Sequence, residues 1–168
     1  MAWTAFPSFI VGHISSAADW NTYVVANGNF LATPPMARVY RNGASTGLSA
    51  NPIVYDTKNF DSANAYATGT GYYTVPVNGN YLMQATWVQT GAADGQTLVT
   101  EVLHNGVLTC ENYGCNFGAA GNEGSWCQDL IGPCAVGDTL NGGYVASQSL
   151  AVLVGSAYTF MWVLKVSN

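Results

Sequence analysis

Between Ile53 and Trp87 the chain reads IVYDTKNFDSANAYATGTGYYTVPVNGNYLMQATW, and this stretch admits little except short strands joined by turns. β-Branched and aromatic residues gather in brief runs, and glycine or asparagine separates them. A short apolar strand opens into Asp56, and a polar loop follows. Gly69-Thr70-Gly71 then precedes an aromatic strand over Tyr72–Val77, a tight turn at Asn78-Gly79-Asn80 and a strand over Tyr81–Val88. Glycine and asparagine tolerate the positive φ that hairpin turns require. Downstream, a strand over Leu98–Leu103 leads to Asn105-Gly106. The apolar run Leu150–Leu164 is broken by Gly155-Ser156 and Thr159, so it reads as two strands and a turn. It is too short to span a bilayer.

Alternation assigns faces to these strands. Tyr81, Met83, Ala85 and Trp87 share one side of theirs. Phe160, Trp162, Leu164 and Val166 alternate with Met161, Val163 and Lys165 in the closing strand. Hydrophobic residues make up 49% of the chain and charged residues only 8%, against about a quarter in an average globular protein. A surface so poor in charge fits a β protein partly covered by copies of itself. The net charge is −5 and the only basic residues are Arg38, Arg41, Lys58 and Lys165. No basic stripe exists to displace counterions, which argues against nucleic acid as a partner, and anionic membranes are disfavoured for the same reason. The start, MAWTAFPSFIVGH, lacks a basic segment and a long apolar run. It does not read as a signal peptide, and the chain is expected to be soluble, made in the cytoplasm and not inserted in a membrane.

Residues 1–36 differ from the rest. The stretch AADWNTYVVANGNFLA is the best helical candidate, with Ser16 as N-cap and Asp19 three residues on as in a capping box. Ala17, Trp20, Val24 and Leu31 fall on a heptad-like seam that Tyr23 and Phe30 widen. Gly28 weakens this helix by about 1 kcal/mol relative to alanine, and a helix this short must pack on something. Either it packs on its own domain or it is a self-associating or docking stem; the Pro34-Pro35 break favours the stem.

Cys110, Cys115, Cys127 and Cys134 lie within one Gly/Asn-rich window. Their spacing is a poor match to zinc sites, and there is no Cys-x-x-Cys pair. One or two disulfides stapling a long loop is the preferred reading, with four free thiols as the alternative. No catalytic site is legible. His13 and His104 are the only histidines and are read as structural; there is no Gly-x-Ser-x-Gly elbow and no phosphate-binding glycine loop. Asp56 and Asp61 flank one loop, and a hydrogen-bonding role there is preferred over calcium binding. No metal or cofactor is expected.

Several short motifs, taken in order, resemble the globular head of the complement/tumour necrosis factor-like family: Tyr55-Asp56, Gly69 with Gly71, Tyr73, Pro76, Gly79-Asn80-Tyr81, Asn105-Gly106, Leu130, Gly137-Asp138 and Tyr158-Thr159-Phe160. The resemblance covers about residues 37–168 and implies a mainly β, antiparallel jelly-roll sandwich behind a short N-terminal helical anchor (residues 1–36). It implies homotrimers, with Tyr81, Tyr158, Phe160 and Trp162 near the threefold interface, although some of these aromatics would simply fill the sandwich core. A second resemblance is carried by Trp3 and by the segment Ser16 to Leu31, SAADWNTYVVANGNFL. It is similar to the N-terminal segment of many tailed-bacteriophage virion proteins, with Trp20 where leucine is usual. Together these imply a non-enzymatic virion-surface knob docked on major capsid or tail proteins through Trp3, Ala17, Trp20, Tyr23, Val24, Phe30 and Leu31. The absence of a shaft leans toward capsid decoration or a short head fibre. The alternatives are a tail-fibre or tail-tip adhesin for a host surface receptor, and a stand-alone glycan- or protein-binding lectin-like module. The loop around Tyr113, Asn116, Asn122 and Trp126 is the candidate receptor-facing surface.

Overall fold

The computed structural model describes residues 16–25, 27–28, 31, 33–92, 96–115 and 121–167. Trp3, His13, Phe30 and Asn116 lie outside them. The helical segment starts where its capping signal places it. The Ser16 hydroxyl accepts the Asp19 N–H at 3.2 Å, and the Asp19 carboxylate accepts the Ser16 N–H at 2.7 Å, so two free helix-end donors are satisfied reciprocally. The helix expected from Ser16 to Leu31 is present but not regular: a π-wound stretch interrupts it, and Asn27, Gly28 and Leu31 are again helical. Helix α1 covers Ala17–Asp19 and passes into a π-wound turn over Trp20–Val25. No residue of either is buried, and Trp20 is 57% exposed, with Val24, Val25 and Leu31 also open.

Among the described residues eleven strands follow: β1 (Met36–Tyr40), β2 (Thr46–Ala50), β3 (Thr57–Asp61), β4 (Tyr66–Ala67), β5 (Tyr72–Thr74), β6 (Gly79–Ala92), β7 (Thr97–His104), β8 (Val107–Cys115), β9 (Gly121–Cys134), β10 (Thr139–Val152) and β11 (Phe160–Ser167). All pairings are antiparallel. One layer has the order β3-β1-β11-β6-β9. The other has β4-β5-β10-β7-β8, with β2 further along β10. The layers are continuous where Ala151 and Val152 of β10 pair with Thr90 and Gln89 of β6. This is the antiparallel jelly-roll sandwich expected from the sequence.

The alternation read in the sequence sets the core. Tyr81, Met83, Ala85 and Trp87 of β6 point inward, as do Met161 and Val163 of β11 and Ala37 and Val39 of β1. Leu98, Val102, Leu140, Tyr144 and Tyr73 meet them from the facing layer. Trp87 stacks on Tyr144 with ring centroids 4.0 Å apart. Two buried phenols are hydrogen-bonded: Tyr81 donates to the Val77 carbonyl at 2.6 Å, and Tyr66 accepts the Tyr55 N–H at 2.9 Å. Burial pushes the Tyr81 hydroxyl pKa up to about 12. Gly142 shows how closely the layers approach, since a Cβ there would lie 2.8 Å from that of Ala85.

Two strand expectations are corrected. Ile53–Asp56 is not a strand; Ile53 donates to the Gly142 carbonyl at 2.7 Å, and Ile53 and Tyr55 plug the core from an irregular segment. The aromatic strand ends at Thr74 rather than Val77. Pro76 has no N–H to continue a ladder, and Val75 instead donates to the Asp138 carbonyl. The closing strand begins at Phe160, and Tyr158 sits in the preceding turn.

Asp56 and Asp61 hold loops by hydrogen bonding, as anticipated. Asp56 accepts the N–H groups of Asn42 and Gly43, both at 2.8 Å. Asp61 accepts those of Ala65 and Tyr66 at 2.9 Å, and Lys58 Nζ at 2.8 Å. Partial burial works to raise both carboxyl pKa values, but these donors outweigh it and both lie below the ordinary value. A depressed carboxyl contributes stability above its unfolded pKa of about 3.9 and loses it as pH falls through the folded value. Urea midpoints measured across pH should therefore be level near neutrality and fall below about pH 4. Asp61→Asn should be less stable at pH 7 and show a shallower acid decline.

Candidate functional site

Among the described residues, no further layer packs on the outer face of the β3-β1-β11-β6-β9 layer. Register aligns Phe60, Arg38, Trp162, Gln84 and Gln128 in one row across it. The next row holds Met36, Leu164, Leu82 and Leu130. Tyr40 pairs with Phe160, and Thr86 with Trp126. These rows contain a single charged side chain, Arg38, and its charge is already engaged. Its guanidinium carbon lies 5.0 Å from the Phe160 ring centroid, and Nη2 donates to the Ser156 carbonyl at 2.8 Å. Trp162 donates from its indole N–H to Gln84 Oε1 at 3.1 Å. Phe60 and Leu130, on the two outermost strands of the layer, are 45% and 61% exposed.

Four aromatics were expected near a subunit interface, and the structure separates them. Phe160 and Trp162 lie on this outer face, half-buried. Tyr158 is exposed in the turn beside it. Tyr81 is 0% exposed and belongs to the core; its inward parity on β6 removes it from any partner's reach, which corrects that expectation.

Cys110 of β8 and Cys127 of β9 form a disulfide, with Cα atoms 6.4 Å apart. It ties the free edge of one layer to the free edge of the other. Asn112 Nδ2 donates to the Trp126 carbonyl at 2.6 Å, and Ser125 Oγ to the Asn112 carbonyl at 2.7 Å, beside that closure. The candidate receptor loop is corrected in kind. Tyr113, Asn122 and Trp126 belong to strands β8 and β9, with Tyr113 63% and Trp126 54% exposed. Tyr113 donates its hydroxyl to Glu111 at 3.3 Å, and that carboxylate holds the phenol pKa up.

Cys134 is a free, buried thiol rather than a disulfide partner; the backbone of Cys115 pairs with Thr97 at the end of β8. Cys134 closes β9 at the pole where the chain enters β1, since it pairs with Gly79, and Pro35 accepts the Lys165 N–H there. The Asn105-Gly106 turn, with φ of 51° and 75°, brings His104 to the same pole. The turn before β10 brings Asp138. His104 Nε2 lies 2.9 Å from Asp138 Oδ2, which also accepts the Ala135 N–H at 2.8 Å. Asn105 Nδ2 donates to Asp138 Oδ1 at 2.9 Å. Those donors, led by Asn105, hold the Asp138 carboxyl down at about 2. Burial and the Asp138 charge push the Cys134 thiol up to about 11. The sequence reading treated His104 as an exposed turn residue and grouped Cys134 with the other cysteines. The signal that links them is that Asn-Gly and Gly-Asp turns end neighbouring strands on one side.

The fold is that of complement C1q and tumour necrosis factor domains. The globular domain of zebrafish complement 1qA superimposes with a TM-score of 0.56 at 18% identity, covering 80% of this chain and 99% of that one. Eiger TNF from S. frugiperda gives 0.55 at 14% identity, covering 80% and 94%, and murine APRIL gives 0.52 at 10%, covering 79% and 98%. No protein-family model matches the chain, and no curated protein sequence matches it.

Replacing Cys110 or Cys127 by serine frees the edge that the disulfide closes. A cross-link over 17 residues contributes about 3 kcal/mol by the loop-entropy relation. Urea unfolding of Cys127→Ser should show a loss of that order, whereas Cys115→Ser should leave Cys110–Cys127 in place and the midpoint near that of the unmodified chain.

Proposed function

We propose that this chain is a non-enzymatic, homotrimeric knob on the surface of a tailed-phage virion, docked by its N-terminal segment and acting as a capsid decoration or short head fibre. The observation that carries the trimer is the outer face of the β3-β1-β11-β6-β9 layer. It offers one apolar row and one mixed row whose single charge, Arg38, already has a carbonyl acceptor and the Phe160 ring face, so a partner copy meets little charge there. The family resemblance supplies the threefold symmetry. The phage assignment rests on the Ser16–Leu31 pattern and is supported by the open Trp20, Val24 and Val25 of the capped helical segment, which suit a docking surface on major capsid or tail proteins. The chain enters the sandwich at the pole of Cys134 and Asp138, so β8 ends and β9 begins, at Cys115 and Gly121, toward the opposite end.

The chemistry argues against an enzyme. The one grouping of thiol, histidine and carboxylate among the described residues has its thiol buried and its pKa raised, whereas a nucleophilic cysteine needs a depressed one. A tail adhesin that binds a host receptor or glycan is the second reading. It is favoured by Tyr113 and Trp126, two exposed aromatics on adjoining strands.

Trp162→Asp places a carboxylate in the centre of the face. Sedimentation should show trimers for the unmodified chain and monomers for the variant, with an unchanged circular dichroism spectrum; a trimeric variant would move the interface elsewhere. A chain lacking residues 1–32 should remain soluble and trimeric but fail to join particles. Antibody labelling of particles then separates the readings: label over the capsid supports decoration, and label at the tail end supports the adhesin.

A further inference from the structure

We propose that His104, Cys134 and Asp138 form a zinc site at the pole where the chain enters the sandwich, with a solvent molecule as fourth ligand. One imidazole nitrogen, one thiol sulfur and one carboxylate oxygen lie within 4.8 Å of one another. Each of these donor types binds zinc, and the thiolate disfavours the hard cations calcium and magnesium. Bonds of about 2.0–2.3 Å in a tetrahedron set ligand separations of roughly 3.3–3.8 Å. The His104–Asp138 pair opens slightly from 2.9 Å, and the sulfur closes by at most about 1 Å.

The surroundings are arranged to support this. Asn105 Nδ2 holds Asp138 Oδ1, and the Ala135 N–H steers Oδ2, so the carboxylate is oriented before a metal arrives. Asn105 is itself fixed, because its Oδ1 accepts the Thr139 N–H at 2.8 Å. The thiol has only a long contact to the Ile131 carbonyl, 3.6 Å, which leaves its sulfur lone pairs free. His104 and Asp138 are partly exposed and Cys134 is buried, giving an open side for entry and solvent. On binding, the Cys134 thiol releases its proton to water and the thiolate bonds the metal; His104 keeps its ring proton on Nδ1 and donates the Nε2 lone pair. The charge of Asp138, which disfavours a thiolate in the metal-free protein, favours a divalent cation at the same point. Bound zinc would cross-link the β7–β8 turn, the end of β9 and the turn before β10.

The test is equilibrium dialysis of the full chain against micromolar zinc, with the metal counted per chain. One zinc per chain is expected, and Cys134→Ser, His104→Gln and Asp138→Asn should each weaken binding by about tenfold or more. Cobalt in place of zinc should give a thiolate-to-metal charge-transfer band that Cys134→Ser abolishes. Zinc should raise the thermal midpoint of the unmodified chain and not that of His104→Gln, whose partly exposed position makes it the variant to judge by if Cys134→Ser folds poorly. A chain that retains no zinc, a cobalt complex without the thiolate band, or stoichiometric zinc unaffected by the His104 and Asp138 variants overturns the site.

Discussion

The inward row of β6 is the constraint on which the rest of the structure depends. Tyr81, Met83, Ala85 and Trp87 are essentially without exposure, and the strand carrying them is bonded to β9, β11 and the end of β10. Because side chains alternate with a period of two, sending these four into the sandwich sends Leu82, Gln84, Thr86 and Val88 to the other side. Register then passes that parity to both neighbours. Trp162 and Leu164 are carried outward with Gln84 and Leu82, and Gln128 and Leu130 follow on β9. The apolar outer face is thus the obligatory reverse of the core, and its composition is what evolution was free to set. It holds tryptophan, phenylalanine and leucine where a solvated face would hold lysine and glutamate.

That reasoning marks what was legible in the sequence. Strand identity and face were legible where alternation ran for six or more residues, as in β6, β7 and β11, and turns were legible where glycine or asparagine demanded positive φ, as at Asn105-Gly106. The disulfide window and the capping box of Ser16 and Asp19 were legible as short-range chemistry. Short elements were not. β2, β3 and β4 have two to five residues, too few for alternation to register, and each is fixed by pairing with β10, β1 or β5. Ile53–Asp56 has a strand-like composition but lies across the core, where Ile53 and Tyr55 fill volume rather than extend a ladder. Tyr81 was misassigned because an aromatic on a strand fits core and interface equally well, and only the parity of its neighbours decides.

The site at the entry pole was illegible for a related reason. His104, Cys134 and Asp138 come from a strand end and from the two sides of one turn, the first two far apart in the chain, and no spacing rule links them. Their meeting follows from topology: β7 and β9 both end beside the start of β10, so the residues closing those strands converge. The sequence reading weighed cysteine only against cysteine. In the folded chain the two core-facing cysteines at mid-strand find each other, and the one at the pole finds a histidine and a carboxylate instead.

The same topology gives the two poles different work. At the entry pole, Ser62 Oγ donates to the Pro34 carbonyl and Met36 N–H donates to Ser62 Oγ, both at 2.9 Å. With the Lys165–Pro35 bond, these ties fix the chain as it passes from its N-terminal segment into β1. Any load between that segment and the sandwich is borne here, by turns whose backbone is held through Asp138, Asn105 and Asn78, which accepts the Val136 N–H at 2.8 Å. A metal drawn to His104, Cys134 and Asp138 would reinforce this end and leave the other untouched. Away from that pole, the edges of β8 and β9 are tied at mid-strand by the Cys110–Cys127 disulfide and by the Asn112 and Ser125 side-chain bonds.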